Sequence, residues 1–292
     1  MDYRQFAHGK AIELGKDVIR MTTAAGSGHP SSALSIMHVV VVLMNDVLRW
    51  DPADPWHPGS DRLVLSEGHA VPAIYAAYAD LGGMVGRDRQ SAHALTQADL
   101  ATLREADSPL DGDPNPAEGF PFFDAATGSL GQGLSVGAGL GIAARQRKLD
   151  KQVYVIIGDG ESREGQIWEA MDLIADQRLT NVVAVFNCNG QGQADYVSRQ
   201  QSPDSIAAKA TAFGWQVVTI DGHDPDAIKA ALTNPAERTK PLAIVAKTEK
   251  GWGCASLKDK SNHGKPVAAD KLEAALAELD GMYAKLSVTR PG

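Results

Sequence analysis

Cysteine is scarce: Cys188 and Cys254 are the two in 292 residues, too few for a disulfide framework or a thiolate metal cluster. Cys188 reads as a small core residue at the end of an apolar run, and neither thiol is assigned a role. No basic block exists either. The 28 Lys and Arg are scattered among 36 Asp and Glu, and the net charge of −8 argues against a nucleic-acid binder. The most apolar early run, Ile36 to Leu43, is too short to cross a bilayer and contains His38. The opening Met1-Asp-Tyr-Arg-Gln-Phe-Ala7 lacks the apolar core of a signal peptide, so a cytoplasmic protein with no membrane association is expected. No internal repeat is visible. What is present is 43% hydrophobic content over a length that can bury a full core.

Apolar periodicity predicts a helix over 3–25, with Phe6, Ile12, Leu14, Val18 and Ile19 facing inward. Gly26-Ser-Gly-His-Pro30 breaks it, and Ser31 or Ser32 can cap a second helix to about Leu48. A strand over 61–66 then leads through Glu67-Gly-His-Ala70 into a helix ending near Leu81. Thr96-Gln-Ala-Asp99 reads as a capping box for a surface helix to about Ala106. A glycine- and alanine-rich helix ends near Lys148, its Gly137, Gly139 and Gly141 allowing close backbone packing. Helices from Ser202-Pro203 and Asp224-Pro225 alternate with strands over 215–220 and 242–246, and a last helix follows Asp270. Such alternation predicts an α/β fold, a mostly parallel sheet with helices on both faces. All 292 residues are expected to form one domain.

The chemistry is concentrated in Gln152-Val-Tyr-Val-Ile-Ile-Gly-Asp-Gly-Glu161 and Asn181-Val-Val-Ala-Val-Phe-Asn-Cys-Asn189, two strands joined by a helix. In open parallel sheets, ligands bind at the carboxyl ends of strands, where Asp159 and Asn189 fall. A carboxylate and an amide oxygen suit magnesium, with calcium or manganese as substitutes; Mg²⁺ takes its other positions from water and phosphate oxygens. Gly158 and Gly160, lacking side chains, let a diphosphate approach the backbone.

Asn189 follows Asp159 by thirty residues (189 − 159), a spacing similar to the metal-binding signature of thiamine-diphosphate enzymes. Within that group Gly-Asp-Gly-Glu-x-x-Glu-Gly-Gln-x-Trp-Glu-Ala170 resembles transketolase. So do Ser27-Gly-His-Pro30, Leu65-Ser-Glu-Gly-His-Ala70, Ala126-Thr-Gly-Ser-Leu-Gly-Gln-Gly133 and Asn262-His-Gly-Lys265, in this order. The resemblance runs from His29 to His263 and covers the amino-terminal, diphosphate-binding part of such an enzyme. It implies thiamine diphosphate as cofactor, with Asp159, Asn189 and the Gln191 carbonyl on the metal. It places His29, His69 and His263 at the diphosphate and the reacting sugar, and Gly128 and Leu130 against the cofactor's rings.

Two departures matter. Where the family carries Gly-His-Pro, with the histidine on the sugar donor, this chain has Gly112-Asp113-Pro114, and a carboxylate there would alter donor choice. Gly192 and Gln193 replace bulkier apolar residues. The resemblance further implies that a pyrimidine-binding domain and a third domain reside on a partner, a carboxy-terminal transketolase subunit carrying the glutamate that activates the cofactor. Glu164 would couple to that glutamate across the interface of an α2β2 heterotetramer. Transfer of a two-carbon ketol unit from a ketose, commonly phosphorylated, to an aldose is the expected reaction. The alternatives are the α subunit of a thiamine-dependent 2-oxoacid dehydrogenase and a non-catalytic cofactor-binding paralogue.

Overall fold

Residues 2–233 and 238–288 are described in a computed structural model. The first helix, α1 (Tyr3–Ala25), begins where Asp2 accepts the Gln5 N–H and stops at Gly26, whose φ of +58° suits a residue without a Cβ. Ile12, Leu14, Val18 and Ile19 are buried as expected, and Phe6 is half-buried.

The second helix, α2 (Pro30–Val42), starts two or three residues earlier than a Ser31 or Ser32 cap predicts. His29 is its N-cap residue and supplies the first carbonyl acceptor, to Ala33 N–H at 3.2 Å. Proline at the first helical position loses no hydrogen bond, so Pro30 opens the helix and the Ser31 and Ser32 hydroxyls are left buried without a partner among the described residues. A π-helical turn, Leu43–Val47, ends it. Pro30–Val47 has the length and mean hydropathy, 1.4, of a membrane span, yet 83% of it is buried inside the fold.

The other elements are β1 (Arg62–Leu65), α3 (Pro72–Asp80), a small ribbon of β2 (Met84–Val85) and β3 (His93–Ala94), α4 (Gly133–Gln146), β4 (Val153–Gly158) and α5 (Gly165–Asp176). After these come β5 (Val182–Cys188), α6 (Pro203–Ala212), β6 (Gln216–Asp221), α7 (Pro225–Thr233), β7 (Leu242–Lys247) and α8 (Leu272–Lys285). Five strands form a parallel sheet in the order β1-β4-β5-β7-β6. Alternate residues face opposite ways. Tyr154, Ile156, Val183 and Val185 meet α1, α2 and their neighbours, whereas Val153, Val155, Val182 and Ala184 meet α4, α5 and α6. The parallel α/β sheet covered on both faces is as expected.

The predicted helix from Thr96 to Ala106 does not form. Asp99 does accept from the Thr96 N–H at 2.8 Å, but only a 3-10 turn, Asp99–Thr102, follows, and Arg104 turns back with φ +66°. The segment supplies Leu100 and Leu103 to the core and too few periodic apolar positions for further turns.

Of Gly137, Gly139 and Gly141 in α4, two pack as expected and one does not. A Cβ on Gly137 would lie 2.5 Å from Val155 Cγ2, and one on Gly141 2.7 Å from Val182 Cγ2, while Gly139 is exposed and a Cβ there would touch nothing within 4 Å. Opposite responses to alanine follow. Gly137→Ala should destabilise by about 1–3 kcal/mol through overpacking. Gly139→Ala should stabilise by about 1 kcal/mol through helix propensity. Urea unfolding of the two variants checks this; equal shifts would contradict the packing.

Candidate active site

At the carboxyl edge of the sheet, β1, β4, β5 and β7 end side by side above a cavity of about 430 Å³. Register puts Gly158 opposite Asn187 and Cys188 opposite Lys247, which makes Asp159, Asn189 and the turn after Lys247 neighbours. Asp159 is 2% exposed. Its carboxylate accepts from Gly160 N–H at 2.7 Å and Gly190 N–H at 2.6 Å, yet burial outweighs both bonds and pushes its pKa up to about 6.

A desolvated carboxylate of this kind is a cation site in need of a cation. Asn189 Oδ1 accepts from Gln191 N–H at 3.0 Å, with a second lone pair remaining. Among the described residues no cluster of three or more His, Cys, Asp and Glu could hold a metal. The donor set is therefore one carboxylate and neutral oxygens, which fits a hard divalent ion that keeps water or phosphate oxygens. A side chain would be tight at both flanking positions: a Cβ on Gly158 would sit 3.1 Å from Glu67 Oε2, and one on Gly160 3.2 Å from Gly192 Cα.

His29, His69 and His263, from three separate segments, meet beside the cavity, which His69 and His263 line and His29 does not. Their ring centroids are 4.8, 5.1 and 5.3 Å apart. Burial first, then neighbouring cations, holds His29 and His263 down at about 4, and His69 well below its ordinary value. All three are neutral at pH 7 and act as hydrogen-bonding groups, not as cations. His29 Nδ1 has no hydrogen-bond partner among the described residues.

The positive charge comes from Lys250, which sequence reasoning did not single out. It is 3% exposed, and its ammonium donates to His263 Nδ1 at 3.0 Å. Burial pulls its pKa down, and the nearby Glu67 and Asp159 pull it back up. Its signal was its place inside Lys247-Thr-Glu-Lys-Gly-Trp-Gly253, the loop directly after a strand.

Glu161 was also missed. Buried, it accepts from Gly131 N–H at 2.7 Å, Gly158 N–H at 3.0 Å and the Ser66 hydroxyl, tying β1, β4 and the loop before α4 together. Glu67 accepts from Asn187 Nδ2 at 2.8 Å, and its burial raises its pKa.

Leu130, Glu164 and Gln191 line the cavity with Asp159, Asn189 and His263. Glu164 is exposed at the rim, as the residue preceding α5. Gly128 is not on the wall. Its φ is +129°, and a Cβ there would lie 2.8 Å from Asp113 Cγ, so it packs closely against Asp113. Asp113 also packs on Gly68, next to His69, and does not line the cavity either. Half-buried, its carboxyl is pushed up to about 6 by burial, with Arg104 opposing.

Comparison with known proteins gives the family. Residues 13–288 match the family described as the thiamine diphosphate binding domain of transketolase. The chain is 40% identical over 265 residues to mouse transketolase, covering 89% of this chain and 40% of that one. It is 36% identical over 258 residues to the 6-deoxy-6-sulfo-D-fructose transketolase subunit SqwG of a Clostridium strain, covering 87% of this chain and 89% of the relative. Solved transketolases share its fold. That of Campylobacter jejuni gives a TM-score of 0.79 at 25% identity, over 98% of this chain and 48% of that chain. The Pichia stipitis enzyme with sedoheptulose-7-phosphate gives 0.78 at 28%, over 97% and 43%. The chain thus spans about two fifths of the length of the mammalian relatives it matches.

Proposed function

The chain belongs to the transketolase family, and from that premise we propose that it is the metal- and diphosphate-binding subunit of a two-component transketolase. The observation that carries this reading is the buried Asp159 carboxylate beside Asn189, beneath three neutral imidazoles and one ammonium. Asp159, Asn189 and the Gln191 carbonyl would hold Mg²⁺. Lys250, His69 and His263 would hold the diphosphate, the lysine by charge and the histidines by N–H donation. Thiamine diphosphate, when bound, supplies a nucleophilic carbon and an electron sink for moving a ketol fragment between sugars. His29, with a free Nδ1, would hold or pass a proton at a sugar oxygen. Glu164, exposed at the rim, would meet an activating carboxylate brought by a partner chain. That a chain named as a subunit in Clostridium is covered over 89% of its length supports a separate partner. A cytoplasmic location and an α2β2 assembly belong to the same proposal.

The test is transfer from a panel of phosphorylated and free ketoses with thiamine diphosphate and Mg²⁺, for this chain alone and with the product of an adjacent gene. Activity in the mixture alone supports the two-component reading. Activity of the single chain overturns partner dependence, and cofactor binding without turnover in any mixture points to the non-catalytic alternative.

Asp113 should tune the donor. Its carboxyl ionises near pH 6 against Gly68, so the donor KM should change through that pH. Asp113→Asn should flatten the change, and Asp113→His should reorder the ketose panel. An unchanged profile and ranking in both would remove Asp113 from the donor's surroundings. The linkage sign is definite: a carboxyl whose folded pKa is raised loses stability as pH rises through about 6, so Asp113→Asn should unfold at a higher temperature than wild type at pH 8.

A further inference from the structure

A second set of histidines lies outside the cavity. His8 on α1, His38 on α2 and His223 after β6 form a line: His8 Nδ1 is 2.9 Å from His38 Nε2, and His38 Nδ1 is 3.3 Å from His223 Nδ1. At its far end His223 Nε2 accepts the backbone N–H of Glu249 at 2.8 Å.

That amide fixes the direction of every bond. A backbone N–H only donates, so His223 must carry its proton on Nδ1. His38 then accepts at Nδ1 and donates from Nε2, and His8 accepts at Nδ1 and keeps its own proton on Nε2. Reversing any tautomer would set two N–H groups, or two bare lone pairs, against each other.

Trp252 clamps the same turn, its ring edge-on to His38 at 4.4 Å and stacked on His223 at 5.5 Å. Gly251 N–H donates to the Ser31 carbonyl at 2.9 Å, two residues from His29. Between these anchors sits Lys250.

We propose that His8, His38 and His223 are positioning residues, a one-directional imidazole chain that fixes the Glu249–Trp252 turn and thereby places Lys250 against a bound diphosphate. The proposal rests on the diphosphate reading of the cavity. All three rings are neutral at pH 7, since burial lowers their pKa values, that of His223 to about 4. The charged groups facing them are Arg4 on α1, Asp221, Asp224 and Asp226 around the start of α7, and Glu249 and Lys258 beyond β7. Protonating any member would turn an acceptor into a donor and cut the chain.

Two measurements test it. Nitrogen-15 spectra of the imidazoles should show protons on His223 Nδ1, His38 Nε2 and His8 Nε2 in the wild-type chain; another pattern overturns the proposal. Calorimetry with Mg²⁺ and inorganic pyrophosphate should show binding about tenfold weaker in His38→Leu, as for loss of other groups that orient a ligand-binding residue. In His38→Gln, whose amide offers an acceptor and a donor, binding should stay within about twofold of wild type. Equal loss in both variants, or none in His38→Leu, overturns positioning. If His38→Leu does not fold, His38→Gln against wild type and the tautomer pattern decide. If pyrophosphate fails to bind even the wild type, the diphosphate reading fails. The chain is then judged separately by hydrogen exchange of the Glu249 amide, which should be as protected in His38→Gln as in wild type and faster in His38→Leu; equal exchange in wild type and His38→Leu overturns it.

Discussion

Asp159→Ala should abolish Mg²⁺-dependent binding of thiamine diphosphate, a loss of more than about 100-fold. Removal of groups one step beyond a metal's ligands already weakens binding by about 10–100-fold. Titration calorimetry with and without Mg²⁺ measures it, and unchanged affinity would remove the proposed metal site. The same substitution carries an effect of opposite sign. Because burial raises the folded-state pKa of Asp159 from 3.8 to about 6, its favourable share of stability is complete below about pH 4 and is lost as pH climbs through 6. The metal-free wild type should therefore give up on the order of 2 kcal/mol across that window and regain it with Mg²⁺. The alanine variant should show neither response. The residue is poor for the empty fold and indispensable for the loaded one.

Glu161→Ala should be the most damaging single change to the framework. It leaves the Gly131 and Gly158 N–H groups and the Ser66 hydroxyl buried without an acceptor. Each such group costs about 1–3 kcal/mol, so a total of about 4 kcal/mol is expected from urea unfolding, along with loss of cofactor binding. Glu161→Gln should recover little, because its amide nitrogen would face one of those donors. A glutamine variant as stable as wild type would show that Glu161 is held protonated and donates to one of its neighbours.

The sheet and its metal-binding edge were legible because the features that make them are local in sequence. Apolar β-branched runs mark the strands, and Gly-Asp-Gly and Asn189 stand at their ends, so a parallel fold makes them neighbours. Other features depend on three-dimensional context. Lys250 and Glu161 look like ordinary charged loop residues until burial makes one a cation set into the cavity wall and the other a three-way acceptor. Gly139 reads like Gly137, and only the helix's orientation on β4 separates them. His8, His38 and His223 are 30 and 185 residues apart (38 − 8 and 223 − 38), a distance over which no local pattern announces a chain. Thr96 and Asp99 made the predicted local contact, but the helix it should have started had only Leu100 and Leu103 to bury, too few for further turns.

The order of strands in the sheet also sets the timetable on the ribosome. β1 can pair with its only neighbour, β4, after residues 91 positions later have been made (Arg62 with Val153, 153 − 62). At about 5–20 residues per second that is a wait of about 5–20 s. Throughout it the apolar segment Pro30–Val47, which the finished protein buries, has no sheet to rest on. The nascent chain is thus most prone to aggregation early, and protection by a chaperone over its first half matters more than over its second.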